Sequence, residues 1–306
     1  MIGHDHSHHG HSLGPDNYNR AFAIGVALNL AYVFVEAGFG LRSNSLALLA
    51  DAGHNLSDVL SLLLAWAANH LSRLRPSARR TYGWGRSSII AALLNAILLL
   101  VAIGGIGWEA IHRFASPETV PGKTMMAVAG LGVLINAGTA VLFMRGRERD
   151  LNIRGAFLHM AADAGVSAAV VLGGFIILKT NLFWIDPMLS LVVVAVIAIG
   201  TWGLLRDSLN LSLDAVPAGI EIAAVERYLA GLPGITRVHD LHVWAISTTQ
   251  SALTAHLVKP DGVLDDNLLA GIQRDLEERF HIEHMTIQLE CGDEDCACAQ
   301  EPSHVI

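Results

Sequence analysis

Residues 45–71 read Ser-Leu-Ala-Leu-Leu-Ala-Asp-Ala-Gly-His-Asn-Leu-Ser-Asp-Val-Leu-Ser-Leu-Leu-Leu-Ala-Trp-Ala-Ala-Asn-His-Leu, and this stretch decides the fold class. It is longer than the roughly 20 residues that an α-helix needs to cross about 30 Å of hydrocarbon. Yet Asp51, His54 and Asp58 sit in the middle of its apolar run. An ionised group at the centre of a spanning helix costs about 2.5–3.5 kcal/mol on insertion scales, so such groups face a bundle interior and mark a pathway or relay. The stretch therefore predicts one helix of a membrane bundle with a polar interior.

Outward from it, five further apolar stretches of similar length can be read: Arg20–Gly40, Ser87–Ile111, Met125–Met144, Gly155–Leu178 and Phe183–Leu205. Turn and breaker clusters separate them, among them Arg42-Ser43-Asn44, Ser116-Pro117-Glu118 and Lys179-Thr180-Asn181. The composition agrees: 52% of residues are hydrophobic and 16% charged, against about 45–50% and about 25% in soluble proteins. Six spanning helices are expected.

Orientation follows from basic residues, which accumulate in cytoplasmic loops. The loops after the second and fourth stretches carry Arg73, Arg75, Arg79, Arg80 and Arg86, then Arg145, Arg147, Arg149 and Arg154. The alternate loops carry only Arg42, then Arg113 and Lys123, then Lys179. Both termini are thus expected in the cytoplasm of a protein of the cell membrane. The N-terminus is His-rich and polar and lacks the basic-then-apolar order of a cleavable signal.

The charge is divided. Residues 1–206 hold 15 Lys+Arg against 11 Asp+Glu, and residues 207–306 hold 5 against 17. From about residue 212 the pattern becomes that of a soluble α+β domain. Ile220, Ile222, Val225, Leu229 and Leu232 predict an amphipathic helix, followed by strands at Arg237–Ser247 and Ala252–Lys259, a helix near Leu264–Phe280 and a strand at His284–Glu290. The expected organisation is a His-rich segment (1–17), a six-helix membrane domain (18–208), an α-β-β-α-β domain (209–291) and an acidic tail with cysteines (292–306). The three cysteines, Cys291, Cys296 and Cys298, cluster too closely for a disulfide framework.

The fifth stretch repeats the chemistry of the second. His54-Asn-Leu-Ser-Asp58 and His159-Met-Ala-Ala-Asp163 are two copies of H-x-x-x-D in apolar sequence. Spacing i, i+4 puts each His and Asp on one helix face. By depth, at 1.5 Å of rise per residue, Asp163 comes near the level of the His54–Asp58 pair, so the four side chains can converge if the helices are neighbours.

Two imidazoles and two carboxylates suit tetrahedral zinc at bond lengths of about 2.0–2.2 Å. The carboxylates balance the 2+ charge; without it they repel each other, and protonation relieves the cost. Metal and proton thus compete for one site, the chemical basis of antiport. The plainer alternative, interhelical hydrogen bonding by each pair, accounts for one pair more readily than for two at matching depth. Asp51 is expected to aid ion release or cap its helix. Glu36, Glu109, His70 and His112 are expected to be solvated near helix ends, and Asn29, Asn95 and Asn136 to hydrogen-bond between helices.

Ser45–Asp58 resembles the second-helix signature of the cation diffusion facilitators, and Asn152–Asp163 resembles their fifth. Tyr82-Gly-Trp-Gly-Arg86 and His239-Asp-Leu-His-Val-Trp244 are similar to motifs of the same family. The resemblance covers roughly residues 18–290. It implies a homodimeric metal/proton antiporter with a ferredoxin-like cytoplasmic domain and alternating access. Carried over, His54, Asp58, His159 and Asp163 would form the transport site, of a type similar to zinc-preferring members, with cadmium or cobalt as secondary cargo. Zinc is then the substrate and also a structural or regulatory ion; no prosthetic group, no enzymatic activity and no nucleic-acid partner is implied, and membrane lipids are expected as surroundings.

His239, His256 and Glu290 match family positions for a regulatory or dimer-stabilising metal site in the cytoplasmic domain. His242 lies on the other strand face from His239, and His281 and His284 are expected at the surface. Cys296-Ala-Cys298 looks like a short cysteine motif of some members, although Cys-x-x-Cys is the usual zinc spacing. The tract His4–His11 reads as metal-capturing. The loop Ser72–Gly85 contains no His, Asp, Glu or Cys, so no metal is expected there, and its arginines are expected to meet lipid headgroups or the acidic domain. Two other classes compete: an intramembrane metalloenzyme, against which stands the lack of an H-E-x-x-H motif, and a sensor that binds metal without moving it.

Overall fold

The computed structural model describes residues 15–72, 76–144, 151–263 and 266–292. Six long helices come first: α1 (Pro15–Ser43), α2 (Leu46–Ser72), α3 (Ser87–Ala115), α4 (Gly122–Met144), α5 (Leu151–Thr180) and α6 (Ile185–Ser212). They are followed by α7 (Ile222–Ala230), β1 (Arg237–Ala245), β2 (Ser251–Val258), α8 (Asp266–Phe280) and β3 (His284–Glu290), the expected α-β-β-α-β order. Among the described residues, Ser87–Ala115, Gly122–Val141, Phe157–Thr180 and Ile185–Ser212 are long and apolar enough to cross a membrane. Helices α1 and α2 are comparably long, at 29 and 27 residues, but carry Glu36, Asp51, His54 and Asp58 within the run. The His4–His11 tract, Cys296 and Cys298 lie outside the described residues.

By contacts the chain divides into two compact units, Met1–Leu60 with Leu99–Ala198, and Ser61–Leu98 with Ile199–Ile306. The division passes through α2, α3 and α6.

In the first unit, α1 ends where Asn44 takes a left-handed φ of 57°, a conformation that asparagine tolerates as a helix stop. Helix α2 then starts on a cap supplied from far away in sequence. Asp186, at the start of α6, accepts hydrogen bonds from Ser45 Oγ at 2.5 Å and from the Leu46 N–H at 2.8 Å. A carboxylate there meets both the unpaired N–H groups and the positive end of the helix dipole. Leu48 of α2, Met125 and Ala129 of α4, and Val170 and Ile177 of α5 form the core around this end. Helices α4 and α5 approach backbone to backbone: a Cβ on Gly122 would fall 2.4 Å from the Gly174 carbonyl oxygen, so no side chain fits there.

The second unit joins the far part of α2, the near part of α3 and the end of α6 to the sheet domain. Asn95 Nδ2 donates to Ser61 Oγ at 2.9 Å, the interhelical bond expected of it. Asn136, in the first unit, makes no such bond, and both its side-chain polar atoms are buried without a partner. Arg86 pairs with Asp214, and the Thr248 N–H donates to Ser88 Oγ at 3.1 Å. Arg80 lies over the Trp84 ring, 3.8 Å from its centroid.

The sheet has the order β1-β2-β3, with β1 antiparallel to β2 and β2 parallel to β3. A parallel pair needs a crossover, and α8 provides it. Val225 and Leu229 of α7, Leu241 and Val243 of β1, Leu253 and Leu257 of β2, and Ile272 and Leu276 of α8 make one buried core.

Candidate metal centres

Helices α2 and α5 bring the two H-x-x-x-D pairs together in the first unit. His54 Nε2 lies 3.1 Å from Asp163 Oδ1 and 3.7 Å from Asp58 Oδ2. His159 Nε2 lies 3.3 Å from Asp58 Oδ2 and 3.6 Å from Asp163 Oδ2. Imidazole and carboxylate thus alternate around a ring, each edge crossing between helices or spanning one helical turn. A tetrahedron with bonds of about 2.0–2.2 Å has edges of about 3.3–3.6 Å, and the four separations bracket that range.

Of the four edges only His54–Asp163 is a hydrogen bond, and Asp58 Oδ2 is buried without one. The set is not equally tight. His54, Asp58 and Asp163 place donor atoms within 4.8 Å of one another, whereas the ring centroids of His54 and His159 are 6.2 Å apart. Exposure is graded too: the side chain of His159 is 44% exposed, His54 20%, Asp58 22% and Asp163 4%. One turn beyond His54, Asp51 is fully buried.

Two expectations fail here. Asp51 does not cap α2, which Asp186 does; it is fully buried and accepts a hydrogen bond from Ser167 Oγ at 3.0 Å. Glu36 is not solvated at a helix end but fully buried, bonded by Tyr32 Oη at 2.7 Å and Asn55 Nδ2 at 3.1 Å. Apolar neighbours in sequence gave no sign of this, because the partners come from α2 and from within α1. The other end-of-helix groups behave as expected: Glu109 takes Arg113 Nε at 2.9 Å, and His112 stays exposed.

The sheet domain holds a second cluster. His239 and His256 are cross-strand partners on β1 and β2, and Glu290 ends β3. His239 Nε2 stands 2.9 Å from Glu290 Oε2, and His256 Nδ1 stands 2.9 Å from Glu290 Oε1. The second contact is short yet out of line for a hydrogen bond, and Nδ1 of both histidines is buried without one. Three residues offering donor atoms within 4.8 Å of one another, with orphaned imidazole nitrogens among them, fit a zinc-type ligand set.

Burial alone would raise the Glu290 carboxyl, but the hydrogen bond from His239 and the charges of His239 and His256 outweigh it and hold it below its ordinary value. Asp240 was not foreseen. Simple alternation turns it away from His239, but the strand register shifts between His239 and His242, and Asp240 takes a φ of 50°. Its carboxylate consequently reaches His256 Nε2 at 3.3 Å and His242 Nε2 at 2.9 Å. His281 and His284 are exposed.

Residues 22–211 match the family model for the cation efflux transmembrane domain, and residues 217–291 that for the cytoplasmic domain of cation efflux proteins. The chain is 38% identical over 300 residues to the zinc transporter ZitB of Escherichia coli (strain K12), which covers 96% of both chains. It is 34% identical over 289 residues to the metal cation efflux system protein CzcD of Cupriavidus metallidurans, covering 94% of this chain and 90% of that one. It is 33% identical over 287 residues to a cadmium, cobalt and zinc/H(+)-K(+) antiporter of Bacillus subtilis (strain 168), covering 92% and 91%.

Proposed function

Because the chain belongs to the cation efflux family, we propose that it exports a divalent transition metal, zinc first, from the cytoplasm in exchange for protons. Cadmium and cobalt, which appear in the name of one relative, are secondary cargo. The observation that carries this reading is the alternating ring of His54, Asp58, His159 and Asp163 with edges of 3.1–3.7 Å. Its two carboxylates neutralise a 2+ ion in a low-dielectric setting, and its imidazoles bind the ion only when one nitrogen is free of a proton. Loading with metal therefore expels protons, and protonation expels metal.

The gradient of exposure supports access from the α5 N-terminal side, since His159 is open and Asp163, one turn on, is closed. With the basic loops in the cytoplasm, that is an inward-facing arrangement, and alternating access opens the Asp51 side in turn. The multi-pass chain sits in the cell membrane with cytoplasmic termini and works as a homodimer. His239, His256 and Glu290 hold a structural or regulatory zinc ion, and Cys296, Cys298 and the His4–His11 tract are accessory metal-capturing groups. The chain is not an enzyme: both carboxylates of the ring are engaged as ligands, which leaves neither as general base for a metal-activated water.

Reconstitution in sealed vesicles tests the reading. Zinc uptake should follow an imposed pH gradient, with cadmium and cobalt slower and iron and manganese slowest. Metal binding without any accumulation would support a sensor instead.

A further inference from the structure

Next to the ring lies a second polar cluster that the metal does not use. Tyr32 and Glu36 of α1, Asp51 and Asn55 of α2, and Ser167 of α5 are all at most 2% exposed. Tyr32 Oη donates to Glu36 Oε1 at 2.7 Å, Asn55 Nδ2 to Glu36 Oε2 at 3.1 Å, and Ser167 Oγ to Asp51 Oδ2 at 3.0 Å. The cluster is built to fit: on α4, a Cβ at Gly132 would fall 2.2 Å from the Tyr32 hydroxyl oxygen.

The donors do not suffice for the acceptors. Each of the three donates to one carboxylate oxygen, and Asp51 Oδ1 is left buried with no partner. Asp51 and Asn55 lie at i, i+4 on one face of α2 and Asn55 holds Glu36, while the Tyr32 and Ser167 hydroxyls that hold the two carboxyl groups both close on Gly132, so Glu36 and Asp51 enter one cluster. Two bare carboxylates in one dry cluster repel each other, and one proton between them both halves the charge and supplies the missing donor. No Lys or Arg is bonded to either among the described residues. Among the described residues, the titratable groups near the pair are Tyr32 on α1, His54 one turn along α2, and Asp163 one turn along α5 from Ser167; from α4, Gly132 and the Val128 carbonyl meet the Tyr32 hydroxyl.

We propose that Glu36 and Asp51 hold one exchangeable proton between them, a proton-binding site separate from the four metal donors and coupled to them. The coupling runs through one turn of α2, from Asp51 to His54, and one turn of α5, from Ser167 to Asp163. A divalent cation on the ring raises the local positive potential and drives the shared proton off; by reciprocity, the proton weakens metal binding. The place of this proton in an antiport cycle rests on the export reading, whereas the proton site itself does not.

The test is a proton count on purified full-length protein in weakly buffered detergent with a pH dye, titrated with zinc. Wild type should release about one more proton per bound zinc than Glu36→Gln, at unchanged zinc stoichiometry. In infrared difference spectra zinc should remove a protonated-carboxyl band in wild type and not in the variant. Asp51→Asn should show the same deficit and serves if Glu36→Gln does not fold. Equal proton counts, no carboxyl band, or loss of a bound zinc in Glu36→Gln, which would make Glu36 a ligand, each overturns the proposal. Wild-type vesicles that move no zinc would sink the export reading and leave the proton count standing.

Discussion

The two candidate centres use the same side chains on opposite kinds of support. In the helical unit, His and Asp are paired at i, i+4 on α2 and α5, and the set is graded from a 4%-exposed Asp163 to a 44%-exposed His159. In the sheet domain, His239 and His256 face each other across a β-ladder and Glu290 is drawn in from β3, with exposures of 3%, 16% and 7%. Two helices can slide or tilt without breaking their own hydrogen bonds, because those bonds are all internal to each helix. Two strands cannot, because the bonds that hold them are the bonds between them. A site for transit belongs on the first support and a site for retention on the second.

The comparison breaks most visibly at Asp163, which touches both histidines. Asp163→Ala should reduce zinc flux into vesicles by more than the roughly 10–100-fold that removal of an outer-shell partner costs a metal site, with insertion and dimerisation intact. Retained flux would remove the ring from the pathway. His159→Ala is the sharper test of the gradient. It should raise the zinc concentration for half-maximal flux by about 10-fold while leaving the maximal rate measurable, and an effect as large as that of Asp163→Ala would mean that the four donors act as one rigid set.

A smaller effect is expected at Asp186. Asp186→Ala removes the cap of α2 and should cost about 1 kcal/mol, read as a lower melting temperature in detergent with only partial loss of flux.

The smallest change falls in the sheet domain. Glu290→Gln should cost about one zinc per chain and leave maximal flux unaltered. It should also change the response to acid. The Glu290 carboxyl is held below its ordinary value in the folded chain, so its contribution to stability is complete above the unfolded value of about 4.3 and is lost as pH falls through the folded one. Amide exchange of β1–β3 should accelerate below that pH in wild type and be flatter in the variant; identical acid profiles would show that Glu290 is not held by the histidines.

The sheet domain was legible to the residue in places: His284–Glu290 was expected as a strand and is one. The positions of His54 and Asp58 on one face were equally legible, because a period of 3.6 is a property of each helix alone. Asp240 was not, since a register shift between His239 and His242 is settled by pairing with β2. Glu36 and Asp186 were missed for a related reason: Asn55 and the N-terminus of α2, which bind them, lie 19 and 140 residues away.

By itself the sequence determined the spans, their orientation signal, the α-β-β-α-β order and the residue types that could ligate a cation, because hydropathy, charge and helical period act over a few residues. Only the tertiary structure decided that α2 and α5 meet, that Asp58 and Asp163 each lie between two imidazoles, and that Glu36 and Asp51 share a dry pocket. Those facts depend on which faces pack together, and packing joins residues that no local rule relates.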